Sequence, residues 1–329
     1  MGVRAGVALS RALVTGAAGQ DGSYLAELLL EHGYEVCGVV RGDPDAHYPN
    51  LASVRDRMRL FRADLLDEGA LADLLRKLRP SEVYNLASPS FVPRSWEHPV
   101  ETAEFAAVGV TALLEAVRAV DDRIRVYQAS SSEIFGEPAV SPQTEETPLA
   151  PVTPYGVAKA YGHFIARSYR RRYGLHVSCG ILYNHESPRR PRHFVPSKIA
   201  YGAAAASLGL EEELRLGDLG AERDWGYAGD YVEAMRLMLQ HDEPGDYIVA
   251  SGQLHTVQDL AELAFLHVNL DWRDHVLVDE SLKRGQAELR QLAGDSSKAR
   301  AELGWRPLVG FEDLVRLLVD AALERLTAS

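Results

Sequence analysis

Arg11-Ala12-Leu13-Val14-Thr15, then Gly16-Ala17-Ala18-Gly19-Gln20-Asp21-Gly22, then Tyr24-Leu25-Ala26-Glu27-Leu28-Leu29-Leu30 is the stretch from which the fold is read. The first segment is a short apolar run of strand type. The last reads as a helix. Between them the glycines are spaced Gly-x-x-Gly-x-x-Gly. Glycine lets backbone N–H groups approach a diphosphate closely at a helix N-terminus. Strand, glycine turn and helix in that order are the context a dinucleotide fingerprint needs. Gly16, Gly19 and Gly22 are therefore the first candidate binding residues.

The pattern continues outward from this turn. Glu35 to Val40 is a second strand. A dinucleotide unit places Asp or Glu at that strand's end for the ribose diol. Arg41 stands there instead, which favours a 2′-phosphate and hence NADP; Asp43, two residues on, leaves NAD open. Met58 to Asp64 is a third strand and Leu71 to Leu78 a helix. Ser81 to Ala87 is a fourth strand, Val100 to Val120 one long helix, and Arg123 to Ser130 a fifth strand. Val177 to Tyr183 is a sixth, and Asp246 to Ala250 a returning strand. Strands alternating with helices in this way predict an α/β fold, a Rossmann-type doubly wound parallel sheet with right-handed crossovers.

The chemistry concentrates between Tyr127 and Lys159. Ser131 lies at the end of the fifth strand, where open parallel sheets place their reacting groups. Glu133 is two residues on, so in an extended segment it points to the same side. A loop with Pro142, Pro148, Pro151 and Pro154 then delivers Tyr155 at a helix start. Tyr155 and Lys159 are four apart and share a helix face. An ammonium beside a phenol favours phenolate, so the expected effect is a lowered Tyr155 pKa and an acid/base near neutrality. The commonplace reading of each piece is a solvated Tyr/Lys pair and a serine loop. Their conjunction with the glycine turn outweighs it.

After the sixth strand the alternation breaks. Asn184 to His193 is a polar, basic loop predicted to overhang the site, with arginines able to bind a diphosphate. Helices are read at Phe194 to Ala206, Tyr231 to Gln240, Val257 to Val268 and Phe311 to Leu326. Residues 1–184, with a returning segment 223–252, form the dinucleotide-binding unit. Residues 185–222 and 253–329 form a smaller C-terminal α/β unit for substrate.

Composition narrows the class. The chain has 329 residues, 46% hydrophobic and 25% charged, as in globular proteins. A net charge of −12 argues against a nucleic-acid partner. No apolar run is long enough for a membrane span or a signal peptide. Cys37 and Cys179 stand alone in apolar runs and read as reduced thiols of a cytoplasmic protein. His185 and His193 have no cysteine pair beside them, so no metal site is expected. No serine has a histidine partner visible in sequence, which disfavours hydrolase chemistry.

Gly16-x-x-Gly19-x-x-Gly22 with Tyr155-x-x-x-Lys159 resembles the signature pair of the extended short-chain dehydrogenase/reductase superfamily. Finer motifs resemble the GDP-mannose 4,6-dehydratase family: Thr15 to Leu25, Gln128 to Glu133, Pro154 to Lys159, Asn184-His185-Glu186-Ser187-Pro188, Arg223-Asp224-Trp225-Gly226, and Asp230 to Met235. The resemblance implies that Gly16, Gly19, Asp21, Gly22, Arg41, Asp64, Leu65, Leu86, Ala87, His185 and Arg190 contact NADP, with Tyr155 and Lys159. It implies that Tyr155 takes the sugar 4-hydroxyl proton, Lys159 holds the nicotinamide ribose, Ser131 assists at O4, and Glu133 handles the C5 proton as water leaves C6. Ser90, Asn184, Lys198, Arg223 and Arg284 would bind the nucleotide-sugar substrate. It further implies a homodimer or homotetramer, with the helices near 100–120 and 155–173 at the interface. Departures are visible: Ser131 where the family usually has threonine, Gly42 where a second arginine is frequent, Pro89 after the fourth strand, and Lys283 to Arg290 in place of a phosphate-binding pattern. They leave another sugar nucleotide, and a related decarboxylase, epimerase or reductase, as the alternative.

Overall fold

The computed structural model describes residues 10–282 and 292–328. β1 (Arg11–Thr15), β2 (Glu35–Val40), β3 (Arg59–Arg62), β4 (Glu82–Asn85), β5 (Arg125–Ser131), β6 (Val177–Leu182) and β10 (Asp246–Val249) form one sheet, ordered β10-β6-β5-β4-β1-β2-β3. Every pairing in it is parallel. Successive side chains of a strand point to opposite faces. Ala12 and Val14 accordingly enter one core with Leu25 and Leu29 of α1 (Gln20–Glu31) and Met235 and Met238 of α8 (Ala228–Gln240). Leu13 enters the other, with Leu71 and Leu75 of α2 (Glu68–Leu78) and Leu113 and Val117 of α5 (Gly109–Val120). Covering both faces is what makes these strands near-continuous apolar runs.

The remaining strands lie outside this sheet. β7 (Asn184–Glu186), β9 (Glu222–Tyr227) and β11 (Leu254–Thr256) form a three-stranded sheet, and β8 (Leu214–Leu216) pairs with β12 (Val276–Val278). Ile199 and Ala203 of α7 (Val195–Ser207), Leu260 and Phe265 of α9 (Val257–His267), and Leu314 and Leu318 of α11 (Phe311–Thr327) make a separate core there. α10 (Ser297–Leu303) packs against β10. No helix among the described residues is long and apolar enough to cross a membrane.

Three expectations need correction. The helix over Val100 to Val120 is present but not uniform: α4 (Pro99–Ala103), one π-helical turn (Glu104–Val108) and α5 follow one another without a break. That turn keeps Thr102 and Ala106 buried beside α6 (Pro154–Tyr173) while Val110 and Leu113 meet the sheet. α3 (Arg94–Glu97) precedes it. The Asn184 segment overhangs the site but is not a loop throughout: it begins as β7, parallel to β9, and Glu186 and Ser187 are buried. Finally, Glu133 is not on an extended segment, because Ser132–Phe135 is a 3-10 turn. α6 itself starts as predicted. Thr153 caps it by accepting from the Gly156 N–H at 2.9 Å, Pro154 takes the first turn, and Gly174 ends it in the left-handed region.

Candidate active site

β1 is flanked by β2 on one side and β4 on the other, so the chain reverses its direction of winding there. Loops leaving the carboxyl ends diverge at such a point and open a crevice. The crevice is lined by Gly16, Gly19, Asp21 and Gly22 after β1, Leu86 and Ser90 after β4, Ser131 and Glu133 at the end of β5, Tyr155 and Lys159 from α6, and Asn184, His185 and Arg190 after β6. It continues past Gly16 and Gly19 into a second groove walled by Arg41, Leu65, Leu86, Ala87 and Phe105. Most of the sequence-predicted residues are therefore together.

Ser131, Tyr155 and Lys159 are buried, and Glu133 is half-buried. Ser131 lies beside the Tyr155 phenol and favours its ionised form. Its Oγ also accepts from the Glu133 N–H at 3.3 Å, and the Thr153 hydroxyl donates to Glu133 Oε2 at 3.4 Å. The expected lowering of the Tyr155 pKa is overturned. Burial pushes the phenol up to about 12; the Ser131 hydroxyl offsets part of this and the Glu133 charge adds to it. Lys159 does not reverse the effect because its Nζ donates to the Ala129 carbonyl at 3.1 Å and sits 5.7 Å from the Tyr155 ring centre. Burial holds Lys159 itself down to about 8.

On the opposite wall His185 Nδ1 lies 2.8 Å from the Tyr183 carbonyl and Nε2 lies 2.9 Å from Asp21 Oδ2. A carbonyl and a carboxylate both accept, so both ring nitrogens carry hydrogen and His185 is an imidazolium. Burial alone would raise Asp21, but the His185 charge and hydrogen bond hold it at about 2. Burial alone would lower His185; the Asp21 charge and bond raise it. Arg190 reaches the crevice stacked over Phe194 at 3.6 Å, its Nε 3.1 Å from the buried Glu186 carboxylate.

Some predicted residues are elsewhere. Asp64 is exposed, and its carboxylate accepts from the Leu66 N–H at 3.0 Å outside both grooves. Lys198 donates to the Arg215 carbonyl and Arg223 to the Glu222 carbonyl, each at 2.6 Å, and neither lines either groove. Arg284 lies outside the described residues. Sequence reasoning missed Gln20, which donates to Asp21 and to the His185 carbonyl and accepts from Ser187 at 2.8 Å. It also missed Arg189, which binds Ser23 and Glu27. Gln20 lies beside Asp21 in the glycine turn, but its partner is 167 residues away and nothing local announces it. His163, Cys179 and Asp246 meet where α6, β6 and β10 join. Asp246 is already paired with Arg170 at 2.6 Å and Arg167 at 3.4 Å, and those two cations oppose a dication there.

The residues present fit a bound dinucleotide. Gly16 has φ +67, and a Cβ there would lie 3.0 Å from the Ala87 backbone. A Cβ at Gly22 would drive into the Gly16 carbonyl. The first turn of α1 has no side-chain cap, leaving its amide end for an anion.

Residues 13–318 match the family model described as GDP-mannose 4,6 dehydratase. The chain is 46% identical over 325 residues to GDP-mannose 4,6 dehydratase 1 of Arabidopsis thaliana, covering 95% of this chain and 90% of that protein. Among solved structures, RMD from Pseudomonas aeruginosa complexed with NADPH matches with a TM-score of 0.80 and 26% identity, covering 96% of this chain and 99% of that one. The dTDP-glucose 4,6-dehydratase of Streptomyces venezuelae with NAD and TYD bound matches with a TM-score of 0.84 and 28% identity, covering 97% and 98%. With its parallel sheet, glycine turn and Tyr155/Lys159 crevice, the chain belongs to the GDP-mannose 4,6-dehydratase family.

Proposed function

We propose that this chain converts GDP-mannose to GDP-4-keto-6-deoxymannose by loss of water, with NADP as its resident dinucleotide. The observation that carries this reading is the meeting of Ser131, Glu133, Tyr155 and Lys159 in one crevice that opens onto the glycine turn. Gly16, Gly19, Gly22 and the α1 amide end would hold the diphosphate, and Arg41, Leu65, Leu86 and Ala87 the adenosine end. Bound there, the nicotinamide would supply a reversible hydride acceptor, which makes the conversion redox-neutral.

The chain's own residues supply the proton chemistry. Tyr155, in its phenolate form, takes the O4 proton as the 4-ketone forms, with the Ser131 hydroxyl beside it to hydrogen-bond the same oxygen. The ketone acidifies the neighbouring C5–H. Glu133 removes that proton and passes it to the departing 6-hydroxyl, which leaves as water, and a proton that Glu133 takes up again is returned to C5. Lys159 is mostly cationic at neutral pH, and its charge favours ionisation of Tyr155 once the phenol has an acceptor. Asn184 and Ser90 line the crevice and would meet the sugar nucleotide there, while Lys198 and Arg223, which line neither groove, take no part in this reading. On this reading residues 1–184 with 223–252 serve the dinucleotide, and 185–222 with 253–329 serve the sugar nucleotide.

Purified protein incubated with GDP-mannose and catalytic NADP⁺ tests this. The expected product has lost one water by mass, with no net NADPH. An unchanged sugar nucleotide would sink the GDP-mannose assignment and direct the screen to UDP-, CDP- and dTDP-sugars.

A further inference from the structure

The residue that tells one nicotinamide dinucleotide from the other is normally sought at the end of β2. In this chain that place is half-empty. Arg41 is there, but Gly42 follows it, and Asp43 turns away: its Oδ1 accepts from the Asp45 N–H at 3.0 Å, and it does not line the groove. The charged residues lining the adenosine groove are Arg41, Arg94 and Glu101. The last two come from α3 and α4, beyond β4. Glu101 sits between the arginines. Its Oε2 is 3.1 Å from Arg94 Nη2, and its Oε1 is 4.0 Å from Arg41 Nη1. Arg41 is steered toward it by lying over the Phe105 ring at 5.2 Å.

We propose that Glu101 is the specificity-determining residue for the ribose 2′ position, working against Arg41 and Arg94. The inference rests on the dinucleotide reading above. Two guanidinium groups and one carboxylate leave the groove end with a charge of +1. A 2′-phosphate carries roughly −1.5 to −2, so it is undercompensated and must compete with Glu101 for both arginines. A ribose diol is neutral and donates hydrogen bonds, and Glu101 is the carboxylate on that wall able to accept them. The same side chain thus weakens NADP and assists NAD, which narrows the preference for the NADP assigned above. Removing the charge of Glu101 frees both arginines for a phosphate and leaves the diol only a neutral, weaker acceptor.

The test is direct titration of NADPH and NADH, followed by dinucleotide fluorescence, on the full chain with no sugar present. Glu101→Gln is expected to shift the ratio of the two affinities toward NADPH by about tenfold, the scale of one like-charge contact removed from a partly exposed site. Arg94→Ala is expected to shift it the other way. Both shifts should shrink as salt is raised, because these charges are solvent-accessible. A merely structural lesion weakens both dinucleotides together and leaves the ratio alone. A ratio unchanged within about twofold in Glu101→Gln, with both dinucleotides still bound, overturns the inference while sparing the dinucleotide reading. Wild-type protein that binds neither overturns both.

Discussion

Glu133 is the residue whose loss separates the two halves of the proposed chemistry. Glu133→Gln keeps the shape and leaves Ser131, Tyr155 and Lys159 in place, so oxidation at C4 should persist while water loss falls by at least ~10²-fold. Mass spectrometry of the sugar nucleotide reads the second step, and solvent deuterium at C5 reads the proton transfer; dehydration at the wild-type rate would remove Glu133 from its role. Asp21 and His185 make a second residue-level prediction. Asp21 is depressed from 3.8 to about 2, so its contribution to stability is complete above 3.8 and is lost as pH falls toward 2. His185 is raised from 6.5, so its contribution is complete below 6.5 and fades as pH climbs through its folded value. The pair therefore stabilises most in the window between these ordinary values. Asp21→Asn should lower Tm most near pH 5 and progressively less toward pH 9; a deficit that does not vary with pH would mean the pair contributes no charge interaction. Residue types were legible in the sequence at this scale, but protonation states were not. Tyr155 is up rather than down because burial, which no spacing reports, outweighs a neighbouring lysine.

Elements add the constraint of close approach. The glycine turn after β1 works because nothing projects from it. Gly22→Ala would place a methyl against the Gly16 carbonyl and the Ala17 backbone. It should weaken dinucleotide binding at least about tenfold, as read by fluorescence titration. Gly162 does the same for α6: a Cβ there would lie 2.8 Å from the Ala106 carbonyl of the π turn. Gly162→Ala should cost about 1–3 kcal/mol in urea unfolding, the usual range for overpacking. An unchanged midpoint would mean that the two elements can separate without loss. Period and glycine spacing gave away β1, β2, β6, α1 and α6, which are long or sharply punctuated. The short strands β7, β11 and β12 were missed or merged into loops. Three residues are too few to show alternation, and their pairing is with strands distant in sequence. The π turn was invisible for a related reason: it answers to α6 packed alongside, not to its own residues.

For the whole molecule, one exposed apolar face bears on association. Val157, Tyr161 and Phe164 follow one another along a single exposed face of α6, at 54%, 46% and 50% exposure. Val108 of the π turn is 55% exposed, and Tyr161 is tied to Thr111 of α5 by a 3.2 Å hydroxyl contact. An apolar face of this kind on two packed helices is what a homo-oligomer covers. Tyr161→Arg with Phe164→Arg should convert the protein to a monomer by light scattering, with little change in far-UV circular dichroism; an unchanged mass would move the interface elsewhere. The parallel sheet, the glycine turn, and the identities of Ser131, Glu133, Tyr155 and Lys159 were determined by the sequence alone. They depend on local periodicity and on which residue types can do the chemistry. The tertiary structure decided the rest. Burial set the ionisation of Tyr155 and Lys159, and the contact with His185 set that of Asp21. Long-range packing brought Gln20 onto the segment after β6 and Arg189 of that segment onto α1, and placed Glu101 beside Arg41. Charge, desolvation and contact across the chain are properties of distance in space, and distance along the sequence does not encode them.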